Sequence, residues 1–220
     1  MSGAEGVAPK RILVAGASGR TGRLLLAEAL ERGYIVTALV RDPRRLEVEH
    51  ERLRAVTGDV RRPEAVSPAM QGQDSVISLL SHGSAPVVDI FSVGTRVLAD
   101  AAESAGVRRF VAVSAAPVGV DPSRLPLAVR AVMLIPHLNV VYEDMARMER
   151  DLMARGGLDW TIVRHALLTD AAGDRRFRIV MGDLVPGGIT TSRADLADYL
   201  LELVETGAHI RERVAIGGSA

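Results

Sequence analysis

The chain has 220 residues, of which 48% are hydrophobic, only 3% are aromatic and none is cysteine. Lys+Arg and Asp+Glu each number 27, so net charge gives no case for nucleic acid or an acidic membrane surface. The missing cysteine excludes disulfides, thiolate catalysis and cysteine metal sites.

The length suits one sizeable core. That core must be built from Ala, Val, Leu and Ile, the usual filling of a parallel sheet covered by helices. Residues 1–9 are small and acidic or neutral, without the basic and apolar regions of a signal peptide. No apolar run approaches the roughly 20 residues that span a bilayer. A cytoplasmic protein without a membrane partner is expected, with a flexible arm at 1–9 and a short tail at 217–220.

In chain order, 11–15 reads as a buried strand and 19–32 as a helix ended by Gly33. A strand at 34–40, a short charged helix at 43–49 and a strand at 53–57 follow. Next come a helix at 63–70 with proline in its first turn, a strand at 74–80, a long helix at 87–105 and a strand at 107–114. Residues 115–139 are proline-rich and irregular, with room for one short apolar helix. A helix at 140–155, a strand at 158–164 and a short strand at 176–180 lead to a helix at 192–205. Ser192 is its N-cap, with Asp195 three residues on. A strand at 213–216 closes the pattern. Strands alternating with helices imply βαβ units with right-handed crossovers. The expected fold is α/β: a Rossmann-like, doubly wound, mostly parallel sheet in a single domain over 10–216. Segments 115–139 and 165–191 are expected to supply the substrate pocket.

Gly16, Gly19 and Gly22 have the spacing G-x-x-G-x-x-G, directly between a strand and a helix. A tight strand-to-helix turn needs a residue without Cβ, and a pyrophosphate must approach the backbone closely. The helix N-terminus then offers unpaired N–H groups and partial positive charge, to which Ser18, Arg20 and Thr21 can add side-chain donors. Arg41-Asp42 follow the second strand, where an acid accepts from ribose hydroxyls and an arginine favours a 2′-phosphate. Three guanidiniums, Arg41, Arg44 and Arg45, match a phosphate better than a neutral diol. NADPH is therefore expected over NADH. Asp59-Val60 follow the third strand: Asp59 fits either an acceptor for an adenine amino group, with Val60 against the ring, or a plain turn. Leu80, Ser81 and His82 end the fourth strand, at the crevice of an open α/β sheet.

Several segments together resemble the atypical short-chain dehydrogenase group of NAD(P)H-binding proteins, nearest its biliverdin-IXβ reductase/flavin reductase branch. They are GASGRTGR (16–23), ALVRDPRRL (38–46), GDV (58–60), SLLSHG (78–83), GVRRFVAVSA (106–115), LDWTIVR (158–164) and SRADLADYLL (192–201). The resemblance implies a phosphate turn at Gly16, Ser18, Gly19, Arg20, Thr21 and Gly22, and 2′-phosphate arginines at Arg41 and Arg45. It implies an adenine-side pair at Asp59 and Val60, and a nicotinamide-ribose side at Leu80, Ser81 and His82, with Ser114.

The departures bear on chemistry. Tyrosine-dependent relatives use Tyr-x-x-x-Lys, but here Tyr142 is followed four residues on by Ala146, and Lys10 is the only lysine. Ala115 stands where a second hydroxyl is common after strand five, and His165 where a proline is common after strand six. Ser114 and His165 remain as catalytic candidates, His165 as a proton donor or a structural residue. Val118, Leu125, Leu127, Met133 and Leu134 are candidates to face a flat ring. Arg164 is expected to pair with Asp170 or Asp195 or else to bind a substrate carboxylate, and Glu143, Asp144 and Glu149 to be solvated. His50, His137 and His209 have no convergent partners, so no metal site is read.

Reduction of a flavin, quinone or other conjugated acceptor needs mainly oriented hydride delivery. A redox-neutral isomerase or cyclase, and a non-enzymatic NADP sensor, remain open on the same scaffold. The expected partner is a small-molecule acceptor, and the expected state a monomer or weak homodimer.

Overall fold

The structure is a computed structural model and describes residues 10–83, 88–121, 123, 125, 127–133, 135–182 and 184–218. The expected arm at 1–9 and residues 219 and 220 of the expected tail lie outside the described residues.

Eight strands form one sheet: β1 (Arg11–Ala15), β2 (Ile35–Val40), β3 (Leu53–Thr57), β4 (Ser75–Ser78), β5 (Arg109–Ala115), β6 (Asp159–His165), β8 (Phe177–Met181) and β10 (Glu212–Gly218). Their order is β3-β2-β1-β4-β5-β6-β10-β8. The six strands on the β3 side and β10 run parallel, and β8 is an antiparallel edge. Beside it β7 (Leu167–Thr169) and β9 (Thr190–Ser192) form a small parallel pair.

Strand residues alternate between two cores, as the period of two demands. Ile12 and Val14 of β1 pack with α1 (Arg20–Glu31) and α6 (Arg193–Thr206). Leu13 and Ala15 pack on the other face with α2 (Pro63–Met70), α3 (Thr95–Ala105) and α5 (Pro136–Met153). The sheet is thus covered on both faces, which is why its strands read as continuous apolar runs. The order reverses between β1 and β4, and ligands of open α/β sheets bind at such a switch point. No helix among the described residues is long and apolar enough to cross a membrane.

Four segments depart from the sequence expectation. The charged stretch at 43–49 forms only one 3₁₀ turn, Pro43–Leu46, and Glu47 follows with φ 55°. Leu46 is its one buried side chain, so there is no apolar stripe to hold a longer helix. The described part of the helix expected at 87–105 is a π turn, Ile90–Gly94, running into α3. β7 and β9 have three residues each, too few to show alternation. The short apolar helix expected within 115–139 is α4 (Leu127–Met133).

Candidate functional site: a phosphate turn beside an apolar cavity

The phosphate turn is built by contact. Gly16 has φ +89°, and a Cβ there would lie 2.1 Å from the Leu79 carbonyl oxygen. A Cβ on Gly22 would lie 2.3 Å from the Gly16 oxygen. The first glycine therefore lets the turn press on the end of β4, and the third lets α1 press on the turn. The Gly19 amide donates to the Gly16 oxygen at 3.0 Å. α1 starts at Gly19 with no side-chain cap and no acidic residue in its first turn. Its first amides and the positive end of its dipole are left for an outside anion. This fits a dinucleotide pyrophosphate at the switch point. Thr21 is buried, Ser18 half-buried and Arg20 exposed.

At the end of β2 the charges sort themselves. Arg44 bonds Asp42 through its backbone amide at 3.1 Å, Nε at 3.0 Å and Nη2 at 3.0 Å. Arg44 is thus tied down and Asp42 occupied. Arg41 and Arg45 are exposed and have no ion-pair partner among the described residues. Asp59 accepts from the Arg61 amide at 2.9 Å, its Nε at 3.1 Å and its Nη2 at 2.7 Å. The adjacent guanidinium holds the Asp59 carboxyl down at about 2. These contacts are those of a turn. Val60 is 8% exposed and leaves only an edge for a ring. A Cβ on Gly94 would lie 2.8 Å from Val60 and 3.0 Å from Leu80, so that glycine lets α3's approach bring the two together. Ser81 is exposed. His82 has a buried Nδ1 with no hydrogen-bond partner, an orphaned polar atom beside the crevice.

Past the C-terminal ends of β5 and β6 lies a cavity of about 560 Å³. Ala115, Ala116 and Pro117 form one wall, Ala166–Leu168 another, and Leu184–Ile189 a third, with Val129, Tyr142, His165 and Arg193 between them. Thr191 ties the wall residue Ala166 to β10: its hydroxyl accepts from the Ala166 amide at 3.1 Å and donates to the Ile216 oxygen at 2.9 Å. Segments 115–139 and 165–191 thus meet around one space, but through other residues than expected. Val118 and Leu125 are buried in the protein and Leu127 is 79% exposed. The Met133 side chain and Leu134 lie outside what is described.

The two catalytic candidates, Ser114 and His165, are placed differently with respect to the cavity. Ser114 is fully buried, its Oγ has no partner, and it is absent from the cavity wall; Ala115, next along the strand, lines it instead. His165 does line the cavity. Its Nδ1 is 2.6 Å from the Ala166 oxygen, which places the proton on Nδ1 and leaves Nε2 as an acceptor. Burial pushes its pKa down, with Arg193 adding to the effect. Of the two roles open to His165, proton donor or structural residue, its bond to Ala166 and its lowered pKa favour the structural one, with Nε2 left as an acceptor. Tyr142 is half-buried, and burial raises its phenol. Lys10 sits at the opposite, N-terminal edge of the sheet and donates to the Glu205 oxygen at 3.0 Å.

Two acids expected to be solvated, Asp144 and Glu149, are buried and structural, and the anchored arginine has another partner than expected. Arg164 pairs with Glu149, not with Asp170 or Asp195. Asp144 is fully buried and receives the Phe91 amide at 2.8 Å, the Ser92 amide and hydroxyl, and Arg147. It ties α5 to the π turn. Only Glu143 of the three acids is exposed. Asp170 pairs with Arg193 at 2.7 Å and with Arg20 of the phosphate turn. Arg193 is the cavity residue that sequence reasoning missed. Its only signal was its place in the segment SRADLADYLL.

A sequence model of the family described as NAD(P)H-binding matches residues 16–206. An uncharacterised chloroplastic protein of Arabidopsis thaliana is 29% identical over 72% of this chain and 59% of its own length. The chain spans about half the length of the curated relatives it matches. A Streptococcus pneumoniae protein named as a candidate NADH-flavin reductase shares the fold with TM-score 0.78 at 22% identity, over 96% of this chain and all of the other. A short-chain dehydrogenase/reductase of Veillonella parvula, solved with NADP, has TM-score 0.76 at 18% identity, over 94% of each chain. With the family match covering most of its length, this chain belongs to the NAD(P)H-binding family.

Proposed function

We propose that this protein is an NADPH-dependent reductase that delivers hydride to a flat conjugated acceptor, a flavin or quinone. The observation that carries the reading is the apolar cavity at the C-terminal ends of β5 and β6, beside the phosphate turn. Its volume falls within the range of about 300–1,000 Å³ usual for small-molecule sites. The pneumococcal fold neighbour named for NADH-flavin chemistry supports the acceptor class. The neighbour solved with NADP, and the two unpaired guanidiniums at Arg41 and Arg45, support the phosphorylated cofactor.

The amides that open α1 would hold the pyrophosphate, with Arg41 and Arg45 on the 2′-phosphate and Leu80, Ser81 and His82 along the ribose. NADPH supplies a hydride when bound. The protein's contribution is orientation: the cavity walls flank the acceptor ring, and Nε2 of His165 can accept a hydrogen bond from a flavin ring N–H. Ring nitrogens or carbonyl oxygens that gain negative charge take their proton from water, so no Tyr-Lys dyad is required. On the same reading the working unit is the domain over 10–216, a cytoplasmic monomer or weak homodimer acting on small molecules.

The test mixes purified protein with NADPH and, in turn, FMN, FAD, biliverdin and quinones. NADPH oxidation above the uncatalysed rate with at least one acceptor is expected. NADPH binding without turnover of any of them would replace this reading with a sensor or a redox-neutral enzyme.

A further inference from the structure

We infer that the acceptor carries a carboxylate or phosphate group and that Arg193 is its anchor. The inference rests on the reductase reading above and adds a substrate class to it.

The cavity has three side chains with polar atoms, Tyr142, His165 and Arg193; the rest of its described lining is aliphatic or backbone. Arg193 is the only one that carries charge. Burial favours the neutral phenol at Tyr142 and the neutral imidazole at His165. Nothing on the wall therefore supplies a negative charge to face the guanidinium.

The Arg193 side chain is only 13% exposed. Its nitrogens that lack a partner are not buried, so they are open to solvent or to a ligand. Nη1 donates to Asp170 at 2.7 Å, while Nε and Nη2 have no acceptor among the described residues. Those two nitrogens form the edge of the guanidinium that binds a carboxylate or phosphate with two parallel hydrogen bonds. Asp170 does not fully neutralise the arginine, because the same carboxylate also pairs with Arg20. Two guanidiniums share one carboxylate, and one positive charge is left over at the cavity's edge. A flat ring with an acidic substituent would place the ring between the aliphatic walls and the acid on Arg193.

The test uses acceptors that differ only in the acidic group. FMN and riboflavin share one ring and differ by a phosphate; menadione and a carboxylated naphthoquinone make the corresponding carboxylate arm. With saturating NADPH, the full chain should show kcat/KM for the anionic member about tenfold or more above the neutral one in at least one arm. The favoured arm identifies phosphate or carboxylate. Arg193→Ala should bring the ratio to near unity, and Arg193→Lys should restore part of it. Circular dichroism checks the fold of each variant, and the wild-type ratio needs no variant.

Equal turnover of both members in both arms by the wild type would overturn the anchor while leaving the reductase reading intact. A ratio unchanged in Arg193→Ala would do the same. So would an NADPH affinity that falls as far as acceptor affinity, since Arg193 would then be a cofactor contact. Neither binding nor reduction of any of the four acceptors would overturn both readings.

Discussion

Arg164 on β6 and Glu149 on α5 form an ion pair inside the protein, with side chains 1% and 4% exposed. Nε of Arg164 lies 2.9 Å from Oε1 of Glu149, and Arg213 lies 3.8 Å from the other carboxylate oxygen. The pair joins α5 to β6 one residue before His165.

Removing one partner of a buried pair leaves the other charge buried without that partner. Glu149→Ala should therefore lower unfolding free energy by on the order of 3–5 kcal/mol, read as a reduced urea midpoint. Glu143→Ala, six residues earlier on the same helix, is exposed and should cost less than about 0.5 kcal/mol. Similar midpoints for the two variants would show that the Glu149 pair is not a structural tie.

The contrast between these two acids marks what the sequence could convey. β1, the turn after it and α1 were legible because period, glycine spacing and flanking elements all agree there. The partners of Arg164 were not, because Glu149 lies on another element and its helical face is decided by packing. The same holds for the cavity. Segments 115–139 and 165–191 were recognisable as the irregular parts of an α/β chain, but which side chain faces inward depends on the β7–β9 pairing. Two three-residue strands carry no period of their own. Arg193 looked like any first-turn helix residue until Asp170 and the cavity wall were seen beside it.

Gly16→Ala should damage both fold and cofactor binding. Its φ of +89° is one that a residue with a side chain rarely adopts, and the added methyl would meet backbone, not a movable side chain. Strain of about 1–3 kcal/mol is expected from the dihedral alone. Thermal melts with and without NADPH read the two effects separately. Gly72→Ala is the control, since it has a positive φ of 70° with open space around it. It should lose stability from strain but keep the ligand-induced rise in Tm.

His165 gives a pH dependence whose sign follows from its environment. Burial lowers its pKa below the ordinary 6.5, so the unfolded chain takes up this proton more readily than the folded one. The imidazole's contribution to stability is complete above pH 6.5 and is lost as pH falls below that value. His165→Gln, which cannot titrate, should show a shallower fall in Tm between pH 7 and 5 than the wild type. Parallel Tm curves would mean that His165 is protonated as easily in the folded state as in the unfolded one.

On the proposed reading, Arg41 and Arg45 decide between the two nicotinamide cofactors. Asp42, the group that would accept from a free ribose diol, is engaged by Arg44 through three contacts. The remaining two guanidiniums are exposed at the end of β2 with no ion-pair partner among the described residues. A 2′-phosphate would supply that charge, and charge-assisted bonds of this kind are worth about 1.5–3 kcal/mol each. Arg41→Ala should then weaken NADPH binding by about tenfold or more and leave NADH nearly unchanged, measured by nicotinamide fluorescence titration. Arg44→Ala should act in the opposite sense, because it frees the Asp42 carboxylate to accept from the diol and to repel the phosphate. If Arg41→Ala weakened both cofactors equally, the arginine would be serving the shared part of the dinucleotide, and the preference for NADPH would have to come from elsewhere in the groove.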